Sequence, residues 1–188
     1  MSRETLSLKP QLKKEELKAA LISFKERFCI VLPGDEKRKK KEAVVVVEDA
    51  LFAVYHHLFP LLIELDMRIL LGVAPRYILD ETKEEALSRL NVPYALSMQD
   101  EFFKTRAPFC TWKELFEMVR SGHVEVASHS FSKMNLTFNF VNLDREVVLS
   151  KKVLEEKLPQ AISSFIYPFR KTNKRVHKLV GDHYLYIF

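Results

Sequence analysis

Apolar runs of strand length alternate along this chain with amphipathic segments of helical length. AVVVV, residues 43–47, is apolar at every position, which is typical of a strand buried on both faces. RILLGVAP, residues 68–75, is a second such run, and residues 50–66 between the two carry apolar side chains at helical spacing. A strand, a helix and a strand in this order form a βαβ unit with parallel strands and a right-handed crossover.

The same alternation continues to the end of the sequence. Residues 78–108 interrupt it with a mixed, polar stretch, which predicts a short helix at 81–90 inside an irregular insertion. The order of elements predicts an α/β fold, either a barrel or an open parallel sheet. The predicted strands are 29–32, 43–47, 68–75, 124–128, 164–169 and 184–188, and the predicted long helices are 12–28, 50–66, 111–122, 144–158 and 170–182.

Several residues predict where the helices end. Thr111 is a predicted N-cap that forms a capping box with Glu114, and Gly122 is the predicted stop of the same helix. Asp144 is the predicted N-cap of the helix over 144–158. Pro60 fits inside the 50–66 segment only as a kink or as a break between two shorter helices.

Length and composition favour one compact domain over residues 1–188, with a flexible N-terminus at 1–11. The chain has 188 residues, 47% of them hydrophobic, including 14 phenylalanines, which is enough to fill a core. No apolar run approaches the roughly 18 residues of a membrane span, and the first residues lack the features of a signal peptide. A cytoplasmic location is therefore expected, and Cys29 and Cys110 are expected to be reduced thiols.

Much of the positive charge lies in one run, KRKKK, residues 37–41. The chain has a formal charge of +5 and a pI of about 9.1. Such a run can contact phosphate or anionic lipid. Because no aromatic residues that could stack on bases are interleaved with it, we favour a solvated loop, and nucleic acid is not an expected partner.

Polar side chains follow two of the predicted strands. Glu48 and Asp49 follow one, and His129 and Lys133 follow another. In parallel α/β folds, ligands bind beyond the carboxyl ends of the strands. Two carboxylates and an imidazole there could support metal-assisted hydrolysis, in which one carboxylate and the imidazole hold the ion and the other carboxylate takes a proton from water. From spacing alone, an acidic pair also fits a helix N-cap, and a lone histidine also fits a structural hydrogen bond.

Three stretches in order carry a resemblance to a known family. They are residues 46–62 (VVEDALFAVYHHLFPLL), residues 111–136, which contain VEVASHSFSKMNL, and residues 164–180 (SFIYPFRKTNKRVHKLV). They resemble, respectively, the Thr-Phe-Asp-Asp-Gly, His-Ser/Thr-x-x-His and Tyr-Pro-Phe/Tyr-Gly motifs of the polysaccharide deacetylases. These metal-dependent carbohydrate esterases remove N-acetyl groups from amino-sugar polymers. The resemblance runs from about residue 12 to the C-terminus.

The resemblance implies a fold and a set of site residues. The implied fold is a distorted or partial (β/α) barrel, and the implied substrate is an N-acetylated glycan or amino sugar. Glu48 takes the place of the catalytic base, and Asp49 and His129 take the places of ligands to a divalent metal such as zinc. The implied substrate groove is formed by Tyr167, Pro168 and Phe169.

Two finer features also follow from the resemblance. The helix at Trp112 and the YPF strand are most similar to the branch that acts on poly-N-acetylglucosamine. Family members carry their proton-donating histidine in the last third of the barrel, where this sequence ends. Neither His177 nor His183 lies in a matching motif, and we expect both on the last helix or at its end.

The sequence departs from the family pattern at four positions. Lys133 stands where the second metal histidine is expected, and a protonated ammonium has three donors but no lone pair for a metal. Glu48 replaces an aspartate and places its carboxylate one methylene further out, away from the position that a base requires. Ala50 and Arg170 replace motif glycines, and either exchange is expected to shift φ from a glycine-only value.

Two physical interpretations follow. In the first, Asp49 and His129 still hold a metal ion, and Glu48 activates a water for hydrolysis of an N-acetyl amide. In the second, which we favour, Lys133 pairs with Glu48 or Asp49, and its charge replaces that of the metal, so that no metal is bound. The first predicts a deacetylase; the second predicts an inactive protein of the same fold that binds a glycan or a protein partner.

Overall fold

The computed structural model describes residues 3–9, 13–36 and 41–188 and has seven strands in one curled sheet. The strands run in the order β1-β3-β4-β5-β6-β7, β2 also pairs with β3, and all these pairings are parallel. With its helices the sheet forms a partial (β/α) barrel, which confirms the predicted fold. The strands are β1 (Glu4–Leu8), β2 (Cys29–Ile30), β3 (Glu42–Val47), β4 (Ile69–Val73), β5 (Val124–Ser128), β6 (Ser164–Phe165) and β7 (Tyr186–Ile187).

Eight helices with α-helical turns accompany the sheet in the described part of the chain, together with two short 3-10 helices at Pro75–Tyr77 and Pro168–Arg170. Two of them, α2 and α7, begin with π-helical turns and continue as α-helix. No helix among the described residues is long and apolar enough to cross a membrane. The helices are α1 (Lys14–Arg27), α2 (Val54–Leu58 and Phe59–Glu64), α3 (Ala86–Leu90), α4 (Tyr94–Ser97), α5 (Asp100–Arg106), α6 (Trp112–Arg120), α7 (Asp144–Leu149 and Ser150–Lys157) and α8 (Lys174–His183).

The predicted ends of α6 are confirmed. The Thr111 hydroxyl accepts a hydrogen bond from the Glu114 backbone N–H at 3.3 Å, and the Glu114 carboxylate accepts one from the Thr111 N–H at 2.7 Å. This reciprocal pair is the predicted capping box. Gly122 follows the helix with φ of 78°, a left-handed value that glycine adopts without strain.

The predicted N-cap of α7 is wrong. The backbone is already helical at Leu143, one residue before Asp144, so Asp144 cannot serve as the cap. The Asn142 side chain instead accepts a hydrogen bond from the Arg145 N–H at 3.1 Å. Asparagine and aspartate cap helices about equally well, and the sequence alone did not distinguish them.

Pro60 lies in the first turn of the α-helical part of α2, immediately after the π-helical turns of Val54–Leu58. Leu58 and Phe59 are both helical, and the Phe59 N–H donates to the Val54 carbonyl, so the helix continues across this junction. Of the two predicted alternatives, a break between two shorter helices is therefore wrong. All side chains of β3 are buried, as predicted for a strand covered on both faces.

The predicted flexible N-terminus is wrong for residues Glu4–Leu8. They form β1, which pairs with β3 from Glu4↔Ala43 to Leu8↔Val47. Arg3 supports this strand, since its guanidinium donates to Glu42 at 2.9 Å. The sequence ETLSL alternates polar and apolar residues and is too short to stand out as a buried strand. Residues 1, 2, 10 and 11 lie outside the described residues.

The basic run is described only at Lys41, and residues 37–40 lie outside the described residues. The Lys41 ammonium pairs with Glu4 at 2.9 Å and lies 4.6 Å from the centroid of the Phe28 ring. Lys41 therefore already has a protein carboxylate as partner. The expectation that nucleic acid is not a partner stays a prediction.

The insertion at 78–108 contains three short helices, α3 to α5, where the sequence predicted one helix and irregular structure. Arg89 on α3 anchors it. Its buried guanidinium donates to both carboxylate oxygens of Glu114, at 2.7 and 2.9 Å, and to the carbonyls of Ala107 and Phe109, at 2.8 and 2.9 Å. These bonds tie α3 to the end of the insertion and to the first turn of α6. In the segment that follows β3, the Phe52 N–H donates to the Pro108 carbonyl at 2.7 Å.

Gly72 in β4 allows the end of β3 to approach closely. A Cβ at this position would lie 2.7 Å from the Glu48 carbonyl oxygen and 3.1 Å from the Ile166 side chain. We expect Gly72→Ala to lower the free energy of unfolding by about 1–3 kcal/mol, because backbone atoms must move to accept the methyl group. Urea unfolding of both proteins measures the difference.

Gly181 in α8 is the matched control for this prediction. A Cβ there would meet no atom within 4 Å. Gly181→Ala is expected to raise the free energy of unfolding by about 0.5–1 kcal/mol, since alanine is the better helix former. Equal effects of the two substitutions would contradict the close approach at Gly72.

Candidate active site

The carboxyl ends of β3 and β5 bring a buried ion pair together. Lys133 Nζ lies 2.6 Å from each of the two carboxylate oxygens of Asp49. The side chains are only 6% and 9% exposed, respectively, so little water reaches either charge. This is the contact required by the second interpretation of the sequence, in which the lysine pairs with one of the two carboxylates.

Tyr94 completes this group from α4 in the insertion. Its hydroxyl donates to Asp49 Oδ2 at 2.8 Å and accepts from Lys133 Nζ at 2.6 Å. Burial and the neighbouring Asp49 carboxylate raise the pKa of the Tyr94 hydroxyl. The sequence did not identify Tyr94, because nothing in the surrounding residues 91–98, NVPYALSM, marks it as a site residue.

Hydrogen bonds stabilise the loop after β5 in the conformation that positions Lys133. Lys133 and Ser130 have φ of 53° and 59°, left-handed values that are uncommon for residues other than glycine. The buried Glu146 carboxylate of α7 accepts from the Ser132 N–H at 2.8 Å and from the Ser132 hydroxyl at 2.5 Å. Tyr77 donates its hydroxyl to the Ser132 carbonyl at 3.0 Å. These contacts offset the backbone strain that directs Lys133 towards Asp49.

His129 is fully buried and has one unpartnered ring nitrogen. Its Nδ1 lies 3.0 Å from the Ile166 carbonyl oxygen, and because a carbonyl can only accept, Nδ1 carries the proton. Nε2 has no hydrogen-bond partner, and neither does the buried Ser130 hydroxyl. Burial lowers the pKa of the His129 imidazole, so the ring is neutral and Nε2 keeps its lone pair. A metal-binding histidine is usually oriented by this kind of Nδ1–H bond to a carbonyl.

Glu48 has a different partner from Asp49. Its carboxylate faces Arg170, whose Nη2 and Nε lie 3.2 and 3.3 Å from Oε1. Arg170 Nη2 also donates to the Ser7 hydroxyl of β1 at 2.7 Å. Arg170 has φ of 54°, so the expected shift of φ at this replaced glycine is wrong. The arginine keeps a left-handed backbone, and the sequence did not predict its pairing with Glu48.

The three predicted groove residues are placed differently. Tyr167 lines a cavity of about 270 Å³ together with Glu48 and Arg170, and its hydroxyl lies 3.0 Å from His177 Nδ1. Pro168 is buried, whereas Phe169 is exposed with φ of 57°. The structure places His177 within α8 and His183 at its last residue, as expected.

The residues present do not fit a divalent metal ion in this arrangement. His129 Nε2 is available as a ligand, but both oxygens of Asp49 are bound by the Lys133 ammonium. Within the described ranges, no three His, Cys, Asp or Glu side chains form a group that could hold a metal ion. A catalytic zinc site normally has three protein ligands. The roles assigned to Glu48, Asp49 and His129 therefore stay predictions.

Comparison with known proteins identifies the family. The family model described as polysaccharide deacetylase matches residues 35–187, which is most of the chain. The chain belongs to the polysaccharide deacetylase family. Members of this family are generally metal-dependent. The comparison with curated proteins gives no match.

Solved deacetylase structures share the fold. A polysaccharide deacetylase from Bacillus cereus aligns over 100% of this chain with a TM-score of 0.75 and 16% identity, and this chain spans 57% of its length. A de-N-acetylase from Aggregatibacter actinomycetemcomitans aligns over 97% of this chain and 85% of its own, with a TM-score of 0.74 and 14% identity.

A third structure of the same fold is a mutant of a carbohydrate esterase family 4 pseudoenzyme with restored enzymatic activity. It aligns over 77% of this chain and 43% of its own, with a TM-score of 0.52 and 13% identity. Polysaccharide deacetylase folds therefore include a protein described as a pseudoenzyme. The description as a pseudoenzyme applies to that protein alone.

Proposed function

We propose that this polysaccharide deacetylase family member binds an N-acetylated amino-sugar glycan at the carboxyl edge of its sheet without metal-dependent hydrolysis. The observation that carries the proposal is the buried Lys133–Asp49 pair, at 2.6 Å to both carboxylate oxygens. The Lys133 ammonium binds both oxygens of the carboxylate that would hold the family's metal ion.

The chemistry of the ammonium supports this proposal. Its three N–H donors are matched by three acceptors, two on Asp49 and one on Tyr94. The positive charge offsets the cost of burying the Asp49 carboxylate, which is the electrostatic task of a bound cation. An ammonium has no lone pair and no open coordination position, so it cannot bind and activate a water as a metal does.

The position of Glu48 supports the same conclusion. A general base must lie within hydrogen-bond reach of the water that it deprotonates. The Glu48 carboxylate is instead paired with Arg170 beside the Tyr167 cavity. Tyr167 lines the cavity beside the Glu48–Arg170 pair, and we assign the groove wall of Tyr167 and Phe169 to glycan binding.

Hydrolysis of N-acetyl groups with Asp49 and His129 as metal ligands and Glu48 as base is the second candidate. The unpartnered Nε2 of the buried His129 favours it, since a buried ring nitrogen with a free lone pair can bind a metal ion. The two candidates predict different effects of a metal chelator: it leaves glycan binding unchanged in the first and abolishes hydrolysis in the second.

We expect the native protein to bind pentamers of N-acetylglucosamine with the same affinity before and after EDTA treatment. The β-1,6-linked pentamer represents poly-N-acetylglucosamine, and the β-1,4-linked pentamer represents chitin. Calorimetric titration measures the affinity, and a coupled assay measures released acetate. Acetate release that EDTA abolishes and zinc restores would show that the second candidate is correct.

Two further expectations are tested by the same titrations. A protein partner in place of a glycan predicts that neither pentamer binds. A polyanion bound through residues 37–41 predicts binding that weakens steeply with salt, whereas glycan binding by neutral sugar rings is insensitive to it. The cytoplasmic location stays a prediction.

A further inference from the structure

Exposed aromatic side chains concentrate at the edge of the sheet that carries the candidate site. Four of the five such residues in the described part of the chain follow the carboxyl end of a strand: one after β4, two after β5 and one after β6. The fifth lies on α6. The four are Tyr94, Phe138, Phe140 and Phe169, and the fifth is Phe116.

Phe138 and Phe140 form a stacked pair in the loop between β5 and α7. Their ring centroids are 5.3 Å apart, and the planes differ by 22°. The side chains are 48% and 76% exposed, so the pair keeps aromatic surface in water. We call this pair the Phe138–Phe140 platform.

The loop holds the platform in a fixed position. Leu136 and Val141, on either side of the pair, are buried in the core. The Asn135 side chain accepts from the Thr137 N–H at 3.2 Å and from the Thr137 hydroxyl at 2.8 Å. An anchored loop that presents two stacked rings has already lost the conformational entropy that binding would otherwise cost.

The platform is close to the candidate site. Phe138 is five residues after Lys133, and a chain of that length spans at most roughly 18 Å when fully extended. Lys133 is held at the carboxyl edge of the sheet by its ion pair with Asp49. A glycan of several sugar units bound along that edge is therefore long enough to reach the platform.

We propose that the Phe138–Phe140 platform stacks on a sugar ring of the glycan, next to the ring in the groove. This inference rests on the proposed glycan-binding function and adds a second contact to it. An aromatic face carries a negative quadrupole and attracts the weakly positive C–H groups on one face of a sugar ring. The ring's hydroxyls remain at the edge of the stack, where water reaches them.

The composition of the loop favours a sugar over a lipid surface. Residues 134–141, MNLTFNFV, contain no lysine or arginine, and Lys133 before them is buried in its pair with Asp49, so these residues offer no exposed cation to attract anionic lipid. Polar Asn135, Thr137 and Asn139 alternate with the apolar residues, which breaks up the continuous apolar surface that insertion into a membrane requires.

The test compares affinities for the β-1,6-linked N-acetylglucosamine pentamer by calorimetric titration. We expect the double variant Phe138→Ala, Phe140→Ala to bind about tenfold more weakly than the native protein. Phe116→Ala removes an exposed phenylalanine from α6 and is the matched control, with unchanged affinity expected. Phe140→Tyr keeps the aromatic face and should retain native affinity, whereas Phe140→Leu keeps only apolar bulk and should not. Thermal unfolding checks that each variant is folded.

Each outcome separates the inference from the proposed function. If the native protein and the double variant bind the pentamer equally well, the platform does not contact the glycan, and the proposed function stands. If Phe140→Leu retains native affinity, the contact between the platform and the glycan depends on apolar surface alone, and the proposed stacking is wrong. If the native protein binds neither pentamer, the proposed function is wrong and the platform with it. Co-sedimentation with phosphatidylcholine–phosphatidylglycerol vesicles that the double variant loses would assign the platform to a membrane instead.

Discussion

Lys133→His is expected to give the protein a zinc site that the native chain lacks. The substitution removes the ammonium from both Asp49 oxygens and places an imidazole where the family has its second metal histidine. With the unpartnered His129 Nε2, this supplies one oxygen and two nitrogen ligands, a set typical of zinc. Histidine is among the residues that tolerate the left-handed φ found at this position, so the loop should keep its shape.

Elemental analysis after equilibration with buffered zinc measures this effect. We expect about one zinc per molecule of the variant and close to none in the native protein, with affinities that differ by at least roughly 100-fold, since loss of even an outer-shell partner costs 10–100-fold. Adding Asp49→Ala to the variant should abolish binding. Stoichiometric zinc in the native protein that Asp49→Ala removes would contradict displacement of the ion by the lysine.

Metal binding need not restore hydrolysis. Glu48 is held by Arg170 in the native structure, and its carboxylate lies one methylene further out than an aspartate would place it. A Lys133→His variant that binds zinc but releases no acetate therefore agrees with the structure. In that case Glu48→Asp with Arg170→Gly is the next combination to test.

The sequence predicted the architecture well because the strands of the sheet centre are buried on both faces. A run such as 43–47 is apolar at every position for that physical reason, and the intervening helices have a clear apolar stripe. β1 was missed because an edge strand of five residues with exposed polar side chains carries no such signal. The sequence pattern did not predict β1 because the strand lies at the edge of the sheet, although its pairing with β3 is regular.

The candidate site was predicted only in part. The resemblance predicted that Lys133 pairs with Glu48 or Asp49, because two motifs that meet in the family fold place these residues together, and the structure shows that the partner is Asp49. Tyr94 and the pairing of Arg170 with Glu48 were not predicted, since both depend on how an insertion and a loop pack in three dimensions. Residue spacing along a chain carries no information on such contacts unless a motif supplies it.

Lys133→Met is expected to lower the free energy of unfolding by about 3–5 kcal/mol at neutral pH. Methionine has similar length but no charge, so the Asp49 carboxylate stays buried with only the Tyr94 hydroxyl as partner. Urea unfolding measures the loss. The control is Lys18→Met, which breaks the exposed pair between Lys18 and Glu64 and should cost at most about 1 kcal/mol.

The double variant Lys133→Met, Asp49→Asn decides the physical cause of that loss. If the cost is an unpaired buried charge, a neutral amide at position 49 should recover most of the stability, and the coupling between the two substitutions should be large. A Lys133→Met variant within about 1 kcal/mol of the native protein would show that water reaches Asp49 and that no cation is needed there. The native lysine would then not stand in for a metal ion, and the unpartnered His129 would again favour a metal site. A large coupling instead means that the fold still requires a cation at Asp49, and that Lys133 supplies it.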